Sequence, residues 1–331
     1  MRHPTFVIVL ILLVGLRLYG QTHHPGVDLF LKGENRQAIT SLAQAVKTKE
    51  FETNAELWNY LGLAYFKAND PKNSIKAFEK AAKFDPTKGD YRANLAYVYL
   101  DQQKPNKALP EAKKALAVEP ENGYATFLRG VSELMLNKLP DAAVDADAAI
   151  RRSPTVNRGY KLRSDVLLTQ LGQRVAAGSS PKTEIKYLEE AENVLRLGID
   201  TVKDSGREIL QDELDGVTAF LDYFSKPSSD PNISTLPAPP EPGVTPLKIL
   251  AKPRPQYTDA ARSRNVQGTI LLVVLFGTQG RVDHVLVLKR LGSGLDEQAI
   301  AAALRITFEP QKKDGKPMAV VKQVEYGFSI Y

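Results

Sequence analysis

Residues 55–88 read AELWNYLGLAYFKANDPKNSIKAFEKAAKFDPTK, residues 89–122 GDYRANLAYVYLDQQKPNKALPEAKKALAVEPEN, and residues 123–156 GYATFLRGVSELMLNKLPDAAVDADAAIRRSPTV. Ala55, Gly89, Gly123 and Asn157 stand 34 residues apart, three times over. Within each unit the same residue types return. The first has Trp58, Leu61, Gly62 and Tyr65, then Ser74, Phe78, Ala81 and Pro86; the second has Leu95, Ala96 and Tyr99, then Ala108, Ala112, Ala115 and Pro120. The third has Gly130, then Ala142, Ala146, Ala149 and Pro154. Small residues at Gly62, Ala96 and Gly130, and again at Ala81, Ala115 and Ala149, let two helices approach closely. Pro86, Pro120 and Pro154 stop the second helix before the next unit begins, because proline lacks the amide hydrogen a helix interior needs.

This pattern resembles the tetratricopeptide repeat (TPR) family, whose unit is a helix–turn–helix of about this length. The expected fold for residues 21–224 is therefore an all-α solenoid with atypical terminal units. Gly33, Ala38, Leu42 and Ala45 read as half of an earlier unit. After Tyr160 the register is expected to break, residues 176–181 to form a loop, and helices to run over about 182–202 and 208–224. The resemblance implies a peptide-binding groove lined by the first helix of each unit. Projected onto this chain, its lining is Asn59, Leu63, Phe66, Ala93, Tyr97, Tyr124, Phe127 and Val131. The same side chains would serve equally well to pack one unit on the next. The basic and asparagine pattern with which some family members clamp a C-terminal carboxylate is not reproduced.

Residues 226–247, KPSSDPNISTLPAPPEPGVTPL, hold seven of the 21 prolines. Such segments favour polyproline II and act as semi-rigid spacers reaching about 3.1 Å per residue. Residues 225–247 are expected to be a tether between two bodies.

Beyond it, Arg254-Pro255-Gln256-Tyr257 leads to Ala260-Ala261-Arg262. Val266-Gln267-Gly268-Thr269 then opens the apolar run of residues 270–276, and Gly277-Thr278-Gln279-Gly280-Arg281-Val282 turns back. Ser293 is expected to cap a helix carrying Leu295, Ala299, Ala303 and Ile306, with Asp296 in capping-box spacing. Asp314-Gly315 suits a tight turn. Val324, Tyr326, Phe328 and Ile330 alternate with Glu325, Gly327 and Ser329, as in a strand with one buried face. These motifs, in this order over residues 250–331, resemble the TonB C-terminal domain. The expectation for residues 248–331 is an α+β domain with a three-stranded antiparallel sheet. The chain as a whole is expected to be multidomain: helical solenoid, linker, α+β domain.

The TonB resemblance implies a mode of binding. TonB domains take short segments of outer-membrane transporters by adding a strand beside their last strand, which needs an open sheet edge. The residues so implicated are Arg254, Gln256, Tyr257, Val320, Lys322, Val324, Tyr326 and Phe328. Their alternative role is simply to build the domain. Where the best-known member has a glutamine, this chain has Arg254. TonB energy transducers also use a membrane helix carrying a histidine; here His3 precedes the apolar run of residues 6–16 and none lies inside it.

That run, with Arg2 before it and Gly20 after, reads as a secretory signal over residues 1–20, the alternative being an uncleaved signal anchor. Either puts the remainder in the cell envelope, the periplasm in the first instance, and argues against nucleic acid. Membrane association follows only if the segment is uncleaved.

Cysteine is absent, which excludes thiol catalysis, disulfides and cysteine-based metal sites. The four histidines have no metal-ligand spacing with acidic partners, so no catalytic residue, metal or cofactor is expected. The net charge of +6 lies in residues 248–331, which hold thirteen Lys+Arg against seven Asp+Glu; elsewhere thirty-one of each balance. A basic C-terminal domain suits an acidic peptide, and makes peptidoglycan a further candidate partner. The functional expectation is a non-enzymatic envelope protein with two kinds of protein partner. One is an unknown ligand of the repeats; the other is an outer-membrane transporter or secretion component at the C-terminal domain. The alternatives are an inner-membrane-anchored TonB-type energy transducer and a purely structural envelope scaffold.

Overall fold

The computed structural model describes residues 24–226 and 242–330. Residues 1–20, read from the sequence as a signal, and most of the proline-rich linker lie outside the described residues. The chain divides into two compact units, residues 1–77 and 78–331.

In the first unit, α1 (Pro25–Leu31), α2 (Asn35–Ala45), α3 (Ala55–Lys67) and the start of α4 (Pro71–Phe84) follow one another, with a longer connection over residues 46–54 between α2 and α3. Asn54 caps α3 by accepting from the Leu57 amide at 3.0 Å, and Asp70 accepts from the Asn73 amide at 3.1 Å. Gly62, one of the repeated small residues, allows the buried Ser74 hydroxyl to donate to its carbonyl at 2.8 Å.

The second unit continues with α5 (Gly89–Asp101), α6 (Pro105–Val118), α7 (Gly123–Met135) and α8 (Leu139–Arg152). It then holds α9 (Asn157–Ala176), α10 (Lys186–Thr201) and α11 (Gly206–Ser225). Helices α6 and α8 end two residues before Pro120 and Pro154, as the sequence requires. The repeat core is built of alanine: Ala93, Ala96, Ala108, Ala112, Ala115 and Ala125 are fully buried. Helix α9 does not stop where the repeat pattern fades. It runs for 20 residues, against 13 for α5 and α7, and buries Leu171 and Val175 along its added turns.

The C-terminal part comprises β1 (Val244–Thr245), β2 (Lys248–Ala251), α12 (Asp259–Ser263), β3 (Gly268–Phe276) and β4 (Val282–Lys289). After these come α13 (Leu295–Ala303), β5 (Thr307–Glu309), β6 (Lys312–Lys313), β7 (Lys316–Pro317) and β8 (Val320–Phe328). The main sheet is antiparallel and three-stranded in the order β4–β3–β8. Small ladders join β2 to β5, and β1 to β6 to β7. Strands β3 and β8 pair without interruption from Gly268 opposite Phe328 to Phe276 opposite Val320. The β3–β4 register shifts twice.

Helix α13 starts differently from expectation. Ser293 sits at φ 54°, and Gly294, at φ 79°, precedes the helix without a side-chain cap. The Asp296 carboxylate reaches back instead, accepting from the Leu291 amide at 2.9 Å and the Gly292 amide at 3.2 Å. Gly292, Ser293 and Gly294 are three successive residues at positive φ, and the residue at the cap position is Gly294 rather than Ser293.

Both faces of the main sheet are covered. Ile270, Leu272, Val274 and Phe276 point to one side, against Leu295, Ala299, Ala302 and Ala303 of α13. Leu271, Val273 and Leu275, with Leu286 and Leu288 of β4 and Val321 of β8, point to the other. There they share a core with Leu167, Leu171, Leu214, Val217 and Phe220 of α9 and α11. The one buried face expected of the last strand holds from Val324 to Phe328, where Glu325 and Gly327 are exposed, but Ile330, beyond the strand's end, is exposed as well, and β3 is buried on both sides. The C-terminal domain packs on the end of the repeats rather than standing apart from them. Two glycines mark the closest approach. A Cβ at Gly172 would lie 2.8 Å from the Leu288 carbonyl oxygen, and one at Gly216 would lie 3.0 Å from Leu286 Cδ2.

Candidate partner-binding surfaces

Strand β8, like β4, is an outer strand of its sheet. In an antiparallel pair, alternate residues turn their backbone groups toward the neighbour or away from it. The Glu325 carbonyl accepts from the Lys252 ammonium at 2.8 Å, so Glu325 faces outward. By the same alternation Val321, Gln323 and Gly327 present their backbone groups to the open side.

This parity alters the roles available to the residues singled out from the sequence. The side chains of Val320, Val324, Tyr326 and Phe328 are at most 8% exposed and belong to the core under α13, so they cannot contact a partner there. What the edge offers is backbone, with Lys322 half-buried beside it. Tyr257 is likewise a building residue: its hydroxyl donates to the Val266 carbonyl and its ring meets Phe328 edge-on at 5.9 Å. Arg254 and Gln256 are exposed. Sequence reasoning missed Lys252, which no periodicity marks because it follows a strand of four exposed residues.

The residues projected onto the repeat groove fall in both units. On α3, Leu63 is buried and Asn59 and Phe66 are half-buried. In the second unit Ala93 is fully buried, whereas Tyr97, Tyr124, Phe127 and Val131 are half-buried and come together. The rings of Tyr97 and Tyr124 lie 6.5 Å apart. The Arg158 guanidinium stands 4.9 Å from the Tyr124 ring and 5.9 Å from that of Phe127. Burial pushes the Tyr97 phenol up to about 12, with Asp101 adding to it and Arg158 and Arg264 opposing. Burial also raises Tyr124, against the pull of Arg158. Both phenols are neutral hydrogen-bonding groups at physiological pH.

The repeat register carries this face further than the aromatic positions alone. One repeat beyond Tyr124, Phe127 and Val131 stand Arg158, Lys161 and Asp165. Here the C-terminal domain meets the repeats. Arg290 lies 3.0 Å from Asp165 and 3.6 Å from Glu213, and Lys161 pairs with the same two carboxylates. Two cations and two anions close a neutral cluster. Burial pushes the Asp165 carboxyl up, but Arg290 and Lys161 outweigh it and hold the group below its ordinary value. Nearby, Arg264 grips Asp101 with one nitrogen on both oxygens, at 2.7 and 2.8 Å. Of the groove positions of α9, Asp165 thus bonds the C-terminal domain directly, Lys161 supports it through the shared carboxylates, and Arg158 stays on the aromatic face.

Residues 253–330 match the family described as Gram-negative bacterial TonB protein C-terminal, and residues 55–88 and 94–157 match tetratricopeptide repeats. The chain joins tetratricopeptide repeats to a TonB C-terminal domain. Both are non-catalytic interaction modules, and the second is associated with the Gram-negative envelope. Serine/threonine-protein phosphatase 5 of Rattus norvegicus and of Homo sapiens are each 24% identical over 124 residues, 37% of this chain and 25% of the phosphatase. The chain thus spans about a quarter of the length of these relatives. Among solved structures, MamA is 17% identical with a TM-score of 0.45, covering 54% of this chain and 96% of its own. YrrB, described as a TPR protein with an unusual peptide-binding site, is 18% identical with a TM-score of 0.42, covering 57% and 89%. Among the described residues, no helix is long and apolar enough to cross a membrane.

Proposed function

We propose that this chain is a non-enzymatic interaction protein of the Gram-negative cell envelope, working in the periplasm. Its TonB domain takes an extended segment of an outer-membrane transporter or secretion component by strand addition along β8. Its repeats hold a second protein partner at the aromatic face formed by Tyr97, Tyr124, Phe127 and Val131. The observation that carries this reading is the outward backbone of β8: a nine-residue strand at the edge of its sheet, held in uninterrupted register by β3. An added strand gains backbone hydrogen bonds there without disturbing the core. The repeats supply a rigid mount, because α9 and α11 cover the sheet's second face. The anchored-transducer alternative turns on residues 1–23, outside the described ones.

The parity of β8 dictates the test. Proline at Val324 would remove an amide bonded to β3 and damage the domain itself. Proline at Gln323 removes an outward amide, which an edge strand tolerates. A photoreactive side chain at Lys322 should crosslink in cells to an outer-membrane protein, at one extended segment. In Gln323→Pro that crosslink should fall at least tenfold while thermal unfolding stays within a few degrees. An undiminished crosslink in a folded Gln323→Pro protein rejects strand addition at this edge.

A further inference from the structure

The outer edge of β8 is occupied at one point by the chain itself. Lys252, just after β2, places its ammonium 4.8 Å from the centre of the Tyr326 ring and donates to the Glu325 carbonyl at 2.8 Å. That carbonyl is one of the outward acceptors an added strand needs. Lysine guarding a strand edge is a recurrent means of keeping edges from pairing indiscriminately. Beneath it Tyr326 is 5% exposed, and its hydroxyl is buried without a hydrogen-bond partner. Lys252 therefore lies over an apolar ring as well as an edge carbonyl.

The charge of Lys252 is incompletely answered in this position. Partial burial lowers its pKa, and Glu325 acts in the opposite sense. Glu325 is exposed and makes no ion pair with it, the ammonium being bonded to the Glu325 backbone instead. The other charge acting on the Tyr326 side is the cation of Arg305. The domain around it has nearly twice as many basic as acidic residues. An arriving carboxylate thus finds an under-compensated cation; an arriving neutral side chain finds only a guard to be displaced.

We propose that Lys252 is the specificity-determining residue of the β8 edge. At rest it caps the Glu325 carbonyl. When a strand is added, it yields that carbonyl to an amide of the incoming segment and pairs with a carboxylate on it. The segment selected is extended and acidic opposite Glu325. A neutral segment forfeits the lysine–carbonyl bond and gains no ion pair. This inference rests on the strand-addition reading given above.

The test uses two synthetic nonapeptides of alternating threonine and valine, one with glutamate at the centre and one with glutamine, titrated into the full chain at low salt. The wild-type protein should bind the glutamate peptide about fivefold or more tightly than its twin, with the difference shrinking in 0.5 M salt as screening grows. In Lys252→Met the preference should vanish and the glutamine peptide should bind more tightly than it does to wild type. Lys252→Arg should restore the preference. Equal preference in wild type and Lys252→Met overturns the role of Lys252 while leaving strand addition intact. Failure of both peptides to bind either protein counts against strand addition at β8 and removes this proposal with it. Lys252 is exposed, so unfolding does not confound the variant; circular dichroism melts within about 2 °C of wild type verify this.

Discussion

The two faces of the β4–β3–β8 sheet are covered in opposite ways. One is covered locally: α13 follows β4 by a short turn and lays Leu295, Ala299, Ala302 and Ala303 on it. The other is covered by α9 and α11, which precede the sheet by tens of residues across the proline-rich segment. The helix of the local face is visible in the pattern of Leu295, Ala299 and Ala303. The distant face makes the domain dependent on its particular neighbour. A module can keep its family's fold while one of its surfaces becomes part of a larger core.

If the distant face is as much a core as the local one, a charge there should be equally damaging. Leu288 is 2% exposed. Leu288→Asp should cost about 4 kcal/mol or more, since a buried unpaired carboxylate joins a lost apolar contact. Urea unfolding of the full chain should show one transition displaced to low denaturant, as Ala299→Asp on the local face would also do. A helical transition left at the wild-type midpoint would mean that the faces belong to separate bodies.

A smaller effect should come from the charged cluster. Arg290→Met leaves Asp165 and Glu213 to share Lys161, and breaking such a partly buried network should cost about 2–3 kcal/mol at pH 7. The sign with pH follows from Asp165. Its pKa is held below the usual carboxylate value, so its contribution is present above that value and lost as pH falls through the depressed one. The gap between wild type and Arg290→Met should therefore close as unfolding is measured below about pH 4. A gap that does not narrow at all as pH is lowered through the acid range would assign the effect to the packing of the arginine stem.

The subtlest test separates two points on the same contact. A Cβ at Gly172 meets backbone, the Leu288 carbonyl oxygen at 2.8 Å, whereas one at Gly216 meets the mobile end of Leu286. Gly172→Ala should destabilise by about 1–3 kcal/mol, because overpacking against a rigid group forces the elements apart. Gly216→Ala should be neutral or slightly stabilising, since replacing a helical glycine gains up to about 1 kcal/mol. Equal melting temperatures for the two variants would show that the sheet is free to slide over the helices.

The sequence made the repeats, the order of elements and the three-stranded sheet legible, the repeats through their fixed spacing and the sheet through a series of motifs in a characteristic order. Gly62 and Ser74 meet because a fixed repeat places them there. The second covered face was less legible. Its signal existed, in the unbroken apolar run from Ile270 to Phe276, whose odd residues need a partner as much as its even ones. The alternation of β8 drew attention to one face only. In the repeats, the same 34-residue spacing that marks Tyr124 and Phe127 also marks Arg158 and Lys161, but the change from aromatic to charged residues conceals the continuity. Lys252 was illegible in principle, since its role comes from a single bond between segments 73 residues apart.

The unbroken pairing of β3 with β8 also bears on force. A segment added alongside β8 and drawn outward would load the strand along its own axis. All the rungs between β3 and β8 would then resist together in shear, since no bulge provides a place where they could open in succession. The load would pass from β3 to helices α9 and α11 through the apolar contact behind it, bypassing the proline-rich segment. If a strand does add at β8, that continuous contact is where the tension would be borne.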